Sequence, residues 1–131
     1  MTAVRSAFLK AVLAADAAVC LLGGAALALD AEMLADPLGL SAALMRPVGI
    51  FLIGYGGLLA WLATRPALPG KAVWGLIALN LAWAAESVML LALKWVEPTG
   101  LGLGVIVAQA VAVVVVADLY WLALRKGRAA A

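Results

Sequence analysis

The sequence predicts an all-α integral membrane protein, a single domain over residues 1–131 in which four helices cross the bilayer up-down-up-down with both termini cytoplasmic. Three observations lead there. Of the 131 residues, 68% are hydrophobic and only 12% charged, with a mean hydropathy of +1.17, against roughly 45–50% apolar residues in soluble domains. The apolar residues fall into four runs, each near the roughly 20 residues that a spanning helix needs. Basic residues collect in alternate breaks between those runs, as expected for segments held in the cytoplasm.

The first span reads as residues 8–29, with Arg5 and Lys10 at its start. Its basic lead and the "ALA" at Ala26–Ala28 also suit a cleaved signal peptide. Asp16 interrupts that apolar run, however, and cleavage would leave three spans with termini on opposite sides. Around Cys20, "AAVCLL" lacks the small residue expected before a lipoprotein cysteine, and one cysteine forms no internal disulfide. The break "DAEMLADPLGLS" reads as a loop because of its Pro and Gly.

The second span covers residues 41–64, starting at Ser41 or at Pro47. "RPALPG" then turns the chain into a third span over 71–93, and "KWVEPTG" turns it into a fourth over 101–124. Arg65 and Lys71 flank one break and Arg125, Lys126 and Arg128 follow the last span, whereas Asp30, Glu32, Asp36 and Glu97 mark the opposite side. Trp61, Trp74, Tyr120 and Trp121 fall toward the basic side and Trp95 toward the other, where aromatic rings anchor at the interface. The formal net charge of +2 follows from this topology and gives no case for nucleic-acid binding.

Helices in lipid associate through close contacts and polar groups. Gly100, Gly104, Ala108 and Ala112 form a groove along the fourth span, Gly49, Ile53, Gly56, Gly57 and Ala60 a smooth face on the second, and Ala7, Ala11, Ala15, Val19 and Gly23 one on the first. Such faces pack the helices against each other or against a partner.

Ionisable side chains at membrane depth are costly unless paired, neutralised or hydrated. Glu86 and Gln109 each lie about eight residues inside the outer ends of their spans, roughly 12 Å deep, and Arg46 starts the second span with a side chain long enough to reach down. The expectation is a polar cluster of Arg46, Glu86 and Gln109, with the carboxylate ion-paired. The alternatives for Glu86 are an unpaired group that handles a proton or ligand, and a contact with another subunit. Asn80, Trp83, Glu86, Ser87 and Leu90 share a helical arc of about 120° that should face protein or water. Asp16 matches Asn80 in depth, which predicts a hydrogen bond between them. Asp118 points away from Gln109 and is expected to snorkel or to meet Arg65 or Arg125.

The chain has no histidine and one cysteine, so it supplies neither His-ligated haem nor an iron–sulfur cluster unaided. There is no phosphate-cradling glycine loop, no metal-ligand cluster and no nucleophile with an evident base, so no cofactor, metal or enzymatic activity is expected. Ser41, Ser87, Thr64 and Thr99 are expected to cap helices or to pack.

"VWGLIALNLAWAAESVMLLALKWVEPTGLGLGVIVAQA", followed by "DLYWLALRKGR", resembles a widespread family of uncharacterised small four-span bacterial inner-membrane proteins, and "MRPVGIFLIGYGGLLAWLATRP" extends the resemblance over most of the chain. In size and span count the chain is loosely similar to the DoxX-like group. The resemblance implies a four-helix fold in the bacterial inner membrane and carries no site residues. The resulting expectation is a non-enzymatic accessory or assembly subunit that holds a membrane-protein partner or a second copy through its small-residue faces. A binder or carrier of a lipophilic molecule, a lipid or quinone held by the polar cluster with Trp83 as a wall, is the alternative. A proton-coupled transporter acting as an oligomer is a third.

Overall fold

A computed structural model describes residues 3–4 and 6–130, with side chains placed for 6–126. Arg5, one of the residues that set the expected orientation, lies outside the described residues, as does the side chain of Arg128. The helices are α1 (Ala7–Leu29), α2 (Ala31–Leu38), α3 (Ala42–Ala63), α4 (Gly70–Ala92) and α5 (Gly100–Ala130). Two-residue strands β1 (Ala3–Val4) and β2 (Leu68–Pro69) pair antiparallel, with Ala3 opposite Pro69. Helices α1, α3, α4 and the Gly100–Lys126 part of α5 are long and apolar enough to cross a membrane.

Local chemistry sets the helix ends. The Ser6 hydroxyl accepts from the Leu9 N–H at 3.0 Å to start α1, and the Ser41 hydroxyl accepts from the Leu44 N–H at 3.1 Å to start α3. Pro47 therefore sits inside α3 rather than at its beginning. Thr99 starts α5 in the same manner, accepting from the Gly102 N–H at 3.1 Å. These are the N-cap bonds that relieve the unsatisfied donors of a first turn.

The break expected as a loop after the first span holds α2 instead. Its Pro37 lies in the last turn, and Gly39 ends it at φ 67°, with the Gly39 and Leu40 N–H groups returning to the Ala35 carbonyl. That is a left-handed helix stop, which glycine adopts without strain. Ala31 and Leu38 face inward and pack with Met45 into a small apolar cluster, which is why the segment is helical despite its proline. Thr99 ties α2 to the start of α5, its N–H donating to the Leu38 carbonyl at 3.1 Å and its hydroxyl to the Pro37 carbonyl at 2.6 Å.

Helices α1 and α3 form one tightly packed pair and α4 and α5 a second. At Gly24 a Cβ would stand 2.8 Å from the Gly49 carbonyl oxygen and 2.9 Å from the Ile53 nitrogen, so the two backbones touch where these glycines cross. Gly49 packs in turn on Ala28, and Gly56 on Leu21. The face of α1 in use thus carries Ala17, Gly24 and Ala28. Ala7, Ala11, Ala15 and Val19 are exposed and Gly23 meets nothing within 4 Å, so the small-residue face expected on the first span packs against no other helix; Ala15, Val19 and Gly23 border open space between the helix pairs.

A larger core gathers Leu9, Leu13, Leu59, Val73, Leu76, Tyr120 and Leu124 from all four long helices at the end where β1 meets β2. The α2 cluster closes the other end. Between these packed ends the two helix pairs stand apart.

Candidate functional site

The space between the pairs is a cavity of about 560 Å³, within the roughly 300–1,000 Å³ of small-molecule sites. Its wall is almost wholly apolar, drawn from α1 to α5, and carries polar side chains at Asp16, Cys20, Trp83, Ser87 and Gln109. Val19 on α1 is 69% exposed and Val105 on α5 is 45% exposed, yet both line the cavity. Val19, midway along α1, and Val105, little more than one turn into α5, thus mark the open side of the chamber between these two helices.

Asp16 lies nine residues into α1, about 14 Å along it, and is 9% exposed. The Tyr120 hydroxyl donates to its Oδ2 at 2.6 Å, and the Cys20 thiol, one turn on along α1, stands 3.5 Å from its Oδ1. Tyr120 is fully buried and reaches Asp16 from α5, behind the chamber wall. The Tyr55 hydroxyl is buried close by without a hydrogen-bond partner. Among the described residues the only ion pair joins Arg46 and Glu32, so the Asp16 carboxyl has no cation.

A second polar group crosses from α4 to α5. The Trp83 indole N–H donates to Gln109 Oε1 at 2.8 Å, while Gln109 Nε2 donates to Ser87 Oγ at 2.8 Å and to the Ile106 carbonyl at 2.9 Å. Ser87 donates to the Trp83 carbonyl at 2.9 Å. Phe51 of α3 stacks on Trp83 with ring centroids 5.7 Å apart, bridging the two helix pairs. Every N–H and O–H donor in this group is engaged.

The expected Arg46, Glu86, Gln109 cluster does not form. Arg46 binds Glu32 of α2 at 3.0 Å, and Glu86 is exposed on the outer face of α4. The buried face of α4 runs through Val73, Leu76, Ile77, Asn80, Ala84 and Ser87, and Glu86 lies about 120° around the helix from Asn80. It stood at the edge of the expected arc, and the true face is centred on the other side. Asn80 is buried as expected, but its amide donates to the Leu76 carbonyl of its own helix at 2.8 Å and not to Asp16. Asp118 is exposed and makes no ion pair with Arg65 or Arg125.

Of the small-residue positions, Gly49 and Gly56 pack α3 against α1, whereas Gly100, Gly104, Ala108 and Ala112 of α5 are exposed. The contact that α5 makes with α2 uses Gly102 instead, where a Cβ would collide with the Leu38 carbonyl. Asp16, Trp83 and Gln109 thus line one chamber, together with Cys20 and Ser87, to which the sequence assigned no such role. Tyr120 read as an interfacial anchor, and no spacing rule links it to Asp16, 104 residues away.

No family model matches the chain, and no curated protein or solved structure matches it. The resemblance drawn from its third and fourth spans therefore carries no assignment.

Proposed function

We propose that this protein binds a small lipophilic molecule in the membrane, taking it sideways into the chamber between α1 and α5. The observation that carries the reading is the chamber itself: about 560 Å³, apolar, mouthed by exposed Val19 and Val105, with a few polar groups in its wall. Apolar walls with sparse, placed polar groups are the usual form of a ligand site. The role is non-enzymatic, that of a binder or carrier.

In this reading the helices run up-down-up-down through a bacterial inner membrane with both termini cytoplasmic. Support for the orientation comes from the cations at the end where β1 meets β2. Arg65 lies 4.8 Å from the Trp61 ring centroid, Arg125 lies 4.9 Å from that of Trp121, and Lys126 lies 4.3 Å from that of Phe8. Cation and aromatic belts of this kind hold the cytoplasmic interface. The bacterial inner membrane follows from the resemblance alone.

The test is ligand-dependent stability. In neutral-lipid nanodiscs a lipophile that binds the folded chain raises its unfolding free energy by about 2.7 kcal/mol at a hundred times its Kd. Val113→Trp, which sets an indole into the chamber and crowds it, should weaken that response. Equal shifts in wild type and Val113→Trp would place the binding elsewhere and end the proposal.

A second reading, an accessory subunit that grips another membrane protein or a second copy, draws on the open stripe of Gly104 and Ala108 and on the outward Glu86. Gly104→Leu with Ala108→Leu should then dissolve an otherwise stable complex, and an unchanged complex would count against it.

A further inference from the structure

The polar atoms of the chamber wall differ in what they offer a ligand. Both N–H groups of Gln109 are engaged, on Ser87 and on the Ile106 carbonyl; the Trp83 N–H is engaged on Gln109 and the Ser87 hydroxyl on the Trp83 carbonyl. The Cys20 thiol is turned on Asp16. What remains free is acceptor capacity: the second lone pairs of the Asp16 oxygens, of Gln109 Oε1 and of Ser87 Oγ. A quinone or ester carbonyl, which only accepts, finds the Gln109, Trp83, Ser87 and Cys20 donors already taken. A carboxylate or phosphate finds only repulsion.

Asp16 adds a carboxyl group to this inventory. Both of its oxygens act as acceptors, toward Tyr120 and Cys20, and no basic side chain among the described residues pairs with it. A carboxylate at membrane depth without a cation is an incomplete arrangement. The missing partner has open access, because Asp16 fronts the chamber while Tyr120 holds it from behind.

We infer that the ligand is a lipophilic amine, whose ammonium group donates to the Asp16 carboxylate while its apolar body lies along the chamber toward Leu27, Leu44 and Leu90. An ammonium supplies three donors and the positive charge, and both are what the wall lacks. Tyr120 is a positioning residue, fixing the carboxylate rotamer that meets the amine. The inference rests on the lipophile-binding reading and narrows its ligand class.

The experiment compares decylamine, decanol and decanoate, three head groups on one chain, binding to the wild-type protein in zwitterionic nanodiscs at neutral pH, with empty nanodiscs subtracted. Decylamine should bind one per chain and about ten- to a hundredfold more tightly than decanol, the ratio that a hydrogen bond to a charged group supports; decanoate should be weakest. Asp16→Asn should abolish the advantage of the amine over decanol. If decanol or decanoate matches decylamine on the wild type, the amine assignment is overturned while the chamber still binds lipophiles. Absence of saturable binding by all three overturns the chamber reading as well. The wild-type series decides the question even where Asp16→Asn fails to fold.

Discussion

The bond from Tyr120 to Asp16 joins the two helix pairs behind the chamber, and its strength can be isolated by a double-mutant cycle. Tyr120→Phe removes only the hydroxyl that stands 2.6 Å from Oδ2, at a position with no solvent exposure. Asp16→Leu removes the acceptor and keeps the branching at Cγ, with the larger methyl groups turned toward the chamber. A hydrogen bond to a charged group contributes about 1.5–3 kcal/mol in soluble proteins, whereas cycles within a membrane protein average about 0.6 and reach about 1.7 kcal/mol. This bond is short and buried, so a coupling of about 1–2 kcal/mol is expected. Asp16→Leu alone has two opposed effects, deleting a carboxyl that no cation compensates and leaving the buried Tyr120 hydroxyl without its acceptor. Tyr120→Phe alone should destabilise, because it strips a donor from that carboxylate. Reversible unfolding in mixed micelles, monitored by far-UV circular dichroism, measures all four corners. Additive effects within about 0.5 kcal/mol, the range for independent sites, would refute the claim that the two side chains hold the pairs together.

Other parts of the structure make independent demands. Gly102→Ala pushes a methyl group into the Leu38 carbonyl and should cost about 1–3 kcal/mol in thermal unfolding, whereas Gly104→Ala, with nothing within 4 Å, should stay within about 0.5 kcal/mol. Gln109→Leu leaves the Trp83 indole N–H and the Ser87 hydroxyl without Gln109 and should cost about 1–2 kcal/mol, with a shift in tryptophan emission. Arg46→Ala should change stability by less than about 1 kcal/mol, and less still at high salt, because its partner Glu32 is 80% exposed. Glu86→Gln should leave ligand binding unaltered, since Glu86 lies outside the chamber; reduced binding would return it to the site.

The four spans were legible because hydropathy and length decide them, and α1, α3 and α4 begin and end within one residue of the expected limits. Helix α2 was hidden by Pro37, which reads as a breaker although it occupies a last turn closed by Gly39. Within the spans, the rule that polar groups at membrane depth turn toward protein placed Asp16, Asn80 and Gln109 correctly on inner faces, and it failed for Glu86 because helix rotation is set by neighbours that no local pattern encodes. Partner choice was less legible still. Arg46 is satisfied by a carboxylate on α2, an element the sequence did not reveal, and Asp16 by Tyr120, which the sequence placed at the interface and the fold buries in the core. The alternation of small residues on α5 was visible, but only the order of helices decides that α2 touches Gly102 while Gly104 and Ala108 remain open.

The central claim is that the chamber holds a lipophile, and native mass spectrometry of the protein gently extracted from its own membrane tests it most directly. One defined small molecule per chain, basic and apolar, is expected, and it should be depleted in the Val113→Trp protein. A chain that emerges bare, or one held at fixed stoichiometry to a larger membrane protein with its chamber empty, would contradict it.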